Sequence, residues 1–167
     1  MGRFAYQKGV DILLNAYKKS ILSRCGILLV VIGDDQKNIS KSSSANITIY
    51  KCLPRHEVLE LMRTSLILVV PSRFEERGTV IGEALALGTS VLASDLSSLR
   101  CAYLNAPREA INYFNLNEVE LTQALNNIVD SSLKVTLKKR YEFRKYAQNF
   151  NSKEVVKQYL KLYRKLL

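Results

Sequence analysis

Short apolar runs alternate with stretches of helical spacing through the first hundred residues, and that alternation constrains the fold more than any other feature. "GILLVVIGDD" (26–35), "LILVVPS" (66–72) and "TSVLASD" (89–95) are runs without polar alternation, each closed by glycine, proline or acid. Such runs suit strands buried on both faces, as in a parallel sheet. "ITIYKCL" (47–53) reads as a further short strand rich in β-branched residues. Between them lie helices. Val10, Leu13, Leu14, Tyr17, Ile21 and Leu22 line one face of a helix predicted over about 9–22. "PRHEVLELMRTS" (54–65) has a proline-first helix start, and "TVIGEALALG" (79–88) is a helix ended by Gly88. Residues 36–46, "QKNISKSSSAN", read as a loop. Strand and helix alternate several times, with short loops at the strand ends, which implies right-handed βαβ crossovers and a parallel sheet covered by helices on both faces. The expected class is α/β, Rossmann-like.

Beyond residue 117 the pattern is helical only: "NEVELTQALNNIVDSS", "LKVTLKKRYEFRKYAQNF" and "NSKEVVKQYLKLYRKLL". The last carries an apolar stripe of Val155, Val156, Tyr159, Leu160, Leu162, Tyr163 and Leu166, with Ser152 as the expected cap. Charge is concentrated here. The chain carries +10, of which residues 134–167 contribute +9: eleven Lys/Arg against Glu142 and Glu154. A basic face suggests an anionic partner such as membrane headgroups or nucleic acid, against the plainer reading of a solvated helix surface. The aromatics among these charges (Tyr141, Phe143, Tyr146, Phe150, Tyr159, Tyr163) follow helical spacing, so packing explains them better than base stacking, and nucleic acid is the weaker candidate.

With 167 residues the chain is expected to form one domain (1–167) with a full core. Cys25, Cys52 and Cys101 are scattered and show neither disulfide nor zinc spacing, which fits a reducing cytoplasm. No run of about 20 apolar residues or signal-peptide core occurs.

The chemistry is expected in the loop after "LILVVPS". Ligands of open parallel sheets bind beyond the carboxyl ends of the strands, where loops lead into helix N-termini. There "PSRFEERGTVIGEALALGTSV" (71–91) places Glu75 before a helix and Glu83 about a turn inside it. Gly78 permits close backbone approach, and the helix start favours an anion. Carboxylates accept from paired hydroxyls, as on a sugar or ribose. Arg3 and Lys8, with Arg73 or Arg77, could meet phosphates. Two acids for hydroxyls and several cations for phosphates describe a nucleotide sugar; the bland alternative makes Glu75, Glu76, Arg77 and Glu83 ordinary surface charges. His56, at the start of its helix, reads as a surface or capping residue, Asp34 and Asp35 as turn residues, and Asp11 as a helix N-terminal charge.

The blocks "GRFAYQKGVDILLNAY", "LLVVIGD", "LVVPSRFEERGTVIGEALALGTSVLASD" and "NFNSKEVVKQYLKLYRKLL", in that order, resemble the C-terminal, donor-binding half of retaining glycosyltransferase family 4, of the GT-B fold. The resemblance spans nearly the whole chain and is strongest in the Glu-x7-Glu spacing of Glu75 and Glu83. It implies that Arg3 and Lys8 contact the donor diphosphate and that Glu75 holds hydroxyls of the transferred sugar. It implies further that Glu83 takes the ribose hydroxyls. Backbone N–H groups of Arg77, Gly78, Thr79 and Val80 would approach phosphates and sugar, and Tyr50 to Leu53 would lie along the base. Arg3, Lys8 and Glu75 are thus the implied catalytic group. No metal or cofactor is required in the family, the nucleotide sugar being the donor, and configuration is retained. Relatives carry an aromatic where Arg77 stands and paired glycines where this chain has "SDLSSLR".

The resemblance also implies an N-terminal acceptor-binding domain on another chain, onto which the helix of 151–167 would pack. Two other readings stand beside the enzyme: an inactive nucleotide-sugar-binding module, and a basic module at the inner face of a membrane.

Overall fold

The computed structural model describes residues 6–33, 46–132 and 136–166. Asp34, Asp35, Arg3 and most of the serine-rich loop lie outside them. A 3-10 turn (Tyr6–Lys8) leads to α1 (Val10–Lys19) and α2 (Ile21–Arg24). Then come β1 (Leu29–Ile32), β2 (Ile47–Tyr50), α3 (Arg55–Thr64), β3 (Leu68–Val70), α4 (Thr79–Leu87) and β4 (Val91–Ser94). The chain continues through α5 (Ser97–Ala102), β5 (Ile111–Phe114), α6 (Glu118–Ser132), α7 (Leu137–Ala147), a 3-10 turn at Gln148–Phe150, and α8 (Ser152–Leu166).

Among the described residues all strand pairings are parallel, as expected, in two groups: β1–β2, and β3–β4–β5. β4 shows how the larger sheet is covered. Its successive side chains point to opposite faces, and Val91 and Ala93 enter one core with Ile81, Leu85 and Phe143. Leu92 enters another with Leu13, Tyr17, Leu121 and Leu125. Helices α4 and α7 therefore cover one face, and α1 and α6 the other.

Three local expectations are corrected. The helix predicted over 9–22 breaks at Ser20, whose backbone is extended while its hydroxyl donates to the Tyr17 carbonyl at 2.7 Å. A serine side chain offers the backbone that alternative to continuing the helix. Pro54 stands one residue ahead of α3, with ψ 144°, in place of its first helical residue. Asn151, not Ser152, caps α8: its Oδ1 accepts from the Lys153 N–H at 3.1 Å.

Two elements went unpredicted. α5 is short and polar, and β5 is interrupted by Asn112. Of the helical aromatics, Phe143 is fully buried and Phe150 meets Tyr103 and Tyr146. Tyr141, Tyr159 and Tyr163 are exposed.

Candidate functional site

The site begins where two distant stretches are pinned together. Gly9 has φ 63°, and a Cβ there would lie 1.9 Å from the Pro71 carbonyl oxygen, so only glycine lets the start of α1 sit on the end of β3. The Arg73 N–H donates to the Gln7 carbonyl at 2.7 Å. The Arg73 guanidinium grips both Asp11 oxygens at 2.8 and 2.7 Å, donates to the Tyr6 carbonyl, and stacks 3.8 Å from the Tyr6 ring centre. Arg73 is therefore a strut between the two segments, and Asp11 is its partner in the first turn of α1. The guanidinium bond holds the Asp11 carboxyl below its usual range.

This pinning sets Lys8 beside Glu75. The Lys8 ammonium lies 2.7 Å from Glu75 Oε2, with the carboxylate the more enclosed partner at 18% exposure. Glu75 Oε1 accepts from the Gly78 N–H at 3.3 Å. Gly78 precedes α4 in the left-handed region at φ 57°, where a Cβ would press within 2.8 Å of Leu99. The first-turn N–H groups of a helix, here Thr79 and Val80, have no intrahelical acceptor. Glu75 thus already occupies the anion-favouring end of α4, shared with a cation.

Glu83 sits one turn further along α4 and pairs with Arg55, at the start of α3, at 2.8 Å. Exposed Tyr50 ends β2, and half-buried Leu53 lies two residues ahead of Arg55. Lys8, Glu75 and Val80 line one cavity; Glu83, Arg77, Tyr50 and Leu53 lie outside its lining. Arg77 and Thr79 are exposed on the loop and first helical turn. His56 is exposed in α3.

Three supporting residues were not legible in the sequence. Arg55 is the partner of Glu83. Ser98 donates its hydroxyl to the Glu75 carbonyl, fixing the loop. Tyr103 donates to the Gly78 carbonyl at 2.9 Å and accepts from the Gly82 N–H at 3.1 Å, clamping the turn ahead of α4 onto the helix. Burial pushes the Tyr103 hydroxyl up to about 12. Each acts across more than twenty residues of sequence, a separation no local pattern reports.

Among the described residues, no three His, Cys, Asp or Glu side chains gather as metal ligands, and no helix is long and apolar enough to cross a membrane.

Comparison with known proteins adds an independent line. The family described as "Glycosyl transferases group 1" matches residues 1–150. A Klebsiella pneumoniae protein, "Uncharacterized 41.2 kDa protein in cps region", is 28% identical over 168 residues, covering 98% of this chain and 45% of its own length. Sucrose-phosphate synthase from Thermosynechococcus elongatus superposes with a TM-score of 0.75 at 24% identity, over 99% of this chain and 44% of that one. The catalytic domain of Starch Synthase IV from Arabidopsis thaliana, bound to ADP and acarbose, superposes with a TM-score of 0.70 at 19% identity, over 98% of this chain and 37% of that one. The chain therefore spans less than half the length of these relatives.

Proposed function

Since the chain belongs to the glycosyl transferases group 1, we propose that it is the donor-binding part of a retaining, family 4-type enzyme that moves a hexose from a nucleoside-diphosphate sugar to a glycan or lipid-linked acceptor. The observation that carries this reading is the Lys8–Glu75–Gly78 cluster: a cation and a carboxylate held together at a helix N-terminus beyond the end of a parallel strand.

The two ion pairs suggest how the site would receive its donor. Lys8 balances Glu75 and Arg55 balances Glu83. An arriving diphosphate would draw the Lys8 ammonium, joined by Arg3, toward its oxygens. The N–H groups at the start of α4 would meet the same charge. Glu75, released on one side, would accept from hydroxyls of the transferred sugar, and Glu83 from those of the ribose. The base would lie along Tyr50 to Leu53, and the backbone of Arg77, Gly78, Thr79 and Val80 along the phosphates and sugar. As the sugar–oxygen bond breaks, negative charge builds on the departing diphosphate. Cations and helix N–H groups already aimed there favour that charge without reorganising, so no metal is needed in this scheme. The acceptor would be presented by an N-terminal domain on another polypeptide, with residues 1–167 acting as one donor domain and its 151–167 helix packing across the junction.

Calorimetric titration of UDP, GDP, ADP and their glucose conjugates tests this. One nucleotide is expected to bind, with affinity falling about tenfold or more in Glu83→Ala and Lys8→Ala, the scale of a lost hydrogen bond to a charged group. Glu75→Gln should weaken the sugar conjugate while sparing the free diphosphate. No heat with any nucleotide, or unchanged binding in Glu83→Ala, rejects the site.

A second reading, peripheral membrane contact from the cytoplasmic side, is favoured by α8. Val156, Tyr159, Leu160, Leu162 and Tyr163 are all exposed there, on a helix that also carries Lys153, Lys157, Lys161 and Arg164. An apolar stripe beside lysines suits an anionic bilayer surface. Sedimentation with phosphatidylserine vesicles, lost in high salt, would support it; equal sedimentation with neutral vesicles would not.

A further inference from the structure

The start of α4 is built differently from the starts of other helices in the chain. In α1, α5 and α7 the first turn closes with an ordinary α-helical bond: the N–H groups of Leu13, Arg100 and Arg140 each donate to the carbonyl four residues back, at 3.0 to 3.1 Å. In α4 the Gly78 carbonyl accepts from the Ile81 N–H, only three residues on, at 2.7 Å. The Tyr103 hydroxyl stands in the next rung, donating to the Gly78 carbonyl at 2.9 Å and accepting from the Gly82 N–H at 3.1 Å. A three-residue turn is narrower and steeper than an α-helical one, and a side chain set into the ladder bends a helix locally. The hydroxyl that clamps this turn therefore also wedges it open.

The wedge is held from behind. Tyr103 is buried at the end of α5, its ring centre 5.3 Å from that of Phe150, which in turn lies 5.4 Å from Tyr146. α5 touches the same turn at two more points. Ser98 donates to the Glu75 carbonyl, and Leu99 packs beside Gly78, within 2.8 Å of where a Cβ would stand. One short helix thus brackets the turn, with the tyrosine as its inserted part.

We infer that Tyr103 is a positioning residue for the donor: by holding the first turn of α4 tightened and wedged, it sets the direction in which the Thr79 and Val80 N–H groups meet the diphosphate. The inference rests on the donor reading above. Dipoles fixed in advance stabilise charge without reorganising, and hydrogen bonds weaken steeply as they bend. A turn that relaxes therefore loses affinity for phosphate oxygens, while the ribose and base contacts proposed at Glu83 and at Tyr50 to Leu53 rest on other residues.

The test titrates the full chain with UDP, GDP and ADP by calorimetry, and with the matching nucleosides by amide chemical shifts, in the parent and three variants. Tyr103→Phe keeps the ring and removes the wedge. It is expected to weaken the diphosphate about tenfold, the scale of one hydrogen bond to a charged group, and to leave the nucleoside unchanged. Phe150→Leu, which only loosens the seat of the ring, should give the same split at smaller size. Thr89→Val removes another buried hydroxyl bond, to the Met62 carbonyl at 2.8 Å beyond the far end of α4; it should lower the melting temperature comparably and leave both affinities alone. Equal diphosphate affinity in the parent and Tyr103→Phe overturns the inference and spares the site. Equal loss of nucleoside and diphosphate, or the same loss in Thr89→Val, reduces the tyrosine to general support and overturns it too. A parent that binds no nucleotide rejects the donor site and the inference together.

Discussion

β4 and β1 are strands of equal length and similar residues, VLAS and LVVI, yet all four residues of β4 are buried and only Val31 of β1 is. By composition β1 should be the deeper of the two. What separates them, among the described residues, is company: β4 has a strand on each side and a core on each face, whereas β1 pairs with β2 alone. Burial is thus a property of neighbours, and an apolar run reports only the readiness to be buried.

The comparison would break first at the level of side-chain deletion. Leu85 is fully buried in the core under α4 and α7, so Leu85→Ala should cost about 2–5 kcal/mol, through lost transfer energy and a cavity that cannot collapse. Val30, only half-buried on β1, removes less area from water, and Val30→Ala should cost about 1 kcal/mol or less. Urea unfolding of the two variants measures the gap. Equal losses would show that the β1 side is as tightly packed as the β4 side.

A smaller effect is expected at Tyr103, which ties the functional turn to the well-packed half. Its raised hydroxyl, about 12 against an ordinary 10.0, has a sign that can be worked out. Between those values the unfolded chain has lost the proton and the folded chain keeps it. Stability from this group is therefore complete below pH 10 and declines as pH rises toward about 12. Tyr103→Phe should cost about 1–2 kcal/mol at neutral pH, through the unpaired Gly78 carbonyl and Gly82 N–H. It should also flatten the alkaline fall in stability relative to the parent. Thermal melts at neutral and alkaline pH measure both, and an unaltered alkaline slope would remove the sharper half of the claim.

The same contrast explains what could be read from residues alone. The strands β1 to β4 and the helices between them announced themselves, since buried runs and helical stripes are local patterns. β5 escaped because Asn112 interrupts its run, and α5 because Ser97, Ser98 and Arg100 give it little apolar stripe. Which strands pair could not be foreseen, because pairing joins segments far apart in sequence. Glu75 and Glu83 stood out by spacing, and the placement of Glu75 with Lys8 and Gly78 gives that spacing a physical setting. Their supports, Arg55, Ser98 and Tyr103, are ordinary residues made significant by folding.

The smallest expected effect lies at the seam between the two halves. Arg73 bonds Asp11 through two parallel hydrogen bonds and holds the Tyr6 carbonyl, but the Asp11 side chain is 57% exposed. Solvent screens such a pair, so Arg73→Ala should cost no more than about 1 kcal/mol. Its position makes it more informative than its energy. Arg73 fixes the segment that carries Lys8, so the variant should weaken whatever diphosphate affinity the site has by more than the stability loss suggests, whereas Arg63→Ala, which breaks the Glu60 pair on α3, should leave that affinity alone. The acid side carries the opposite sign from Tyr103. Asp11 is held below its ordinary range, so its contribution is present above the unfolded value of about 3.9 and fades as pH falls through the lower folded one. Acid titration of the parent and Arg73→Ala, followed by the melting temperature, should show the two converging at the lowest pH. Curves that stay parallel would mean that the strut acts through packing on Tyr6 and not through charge.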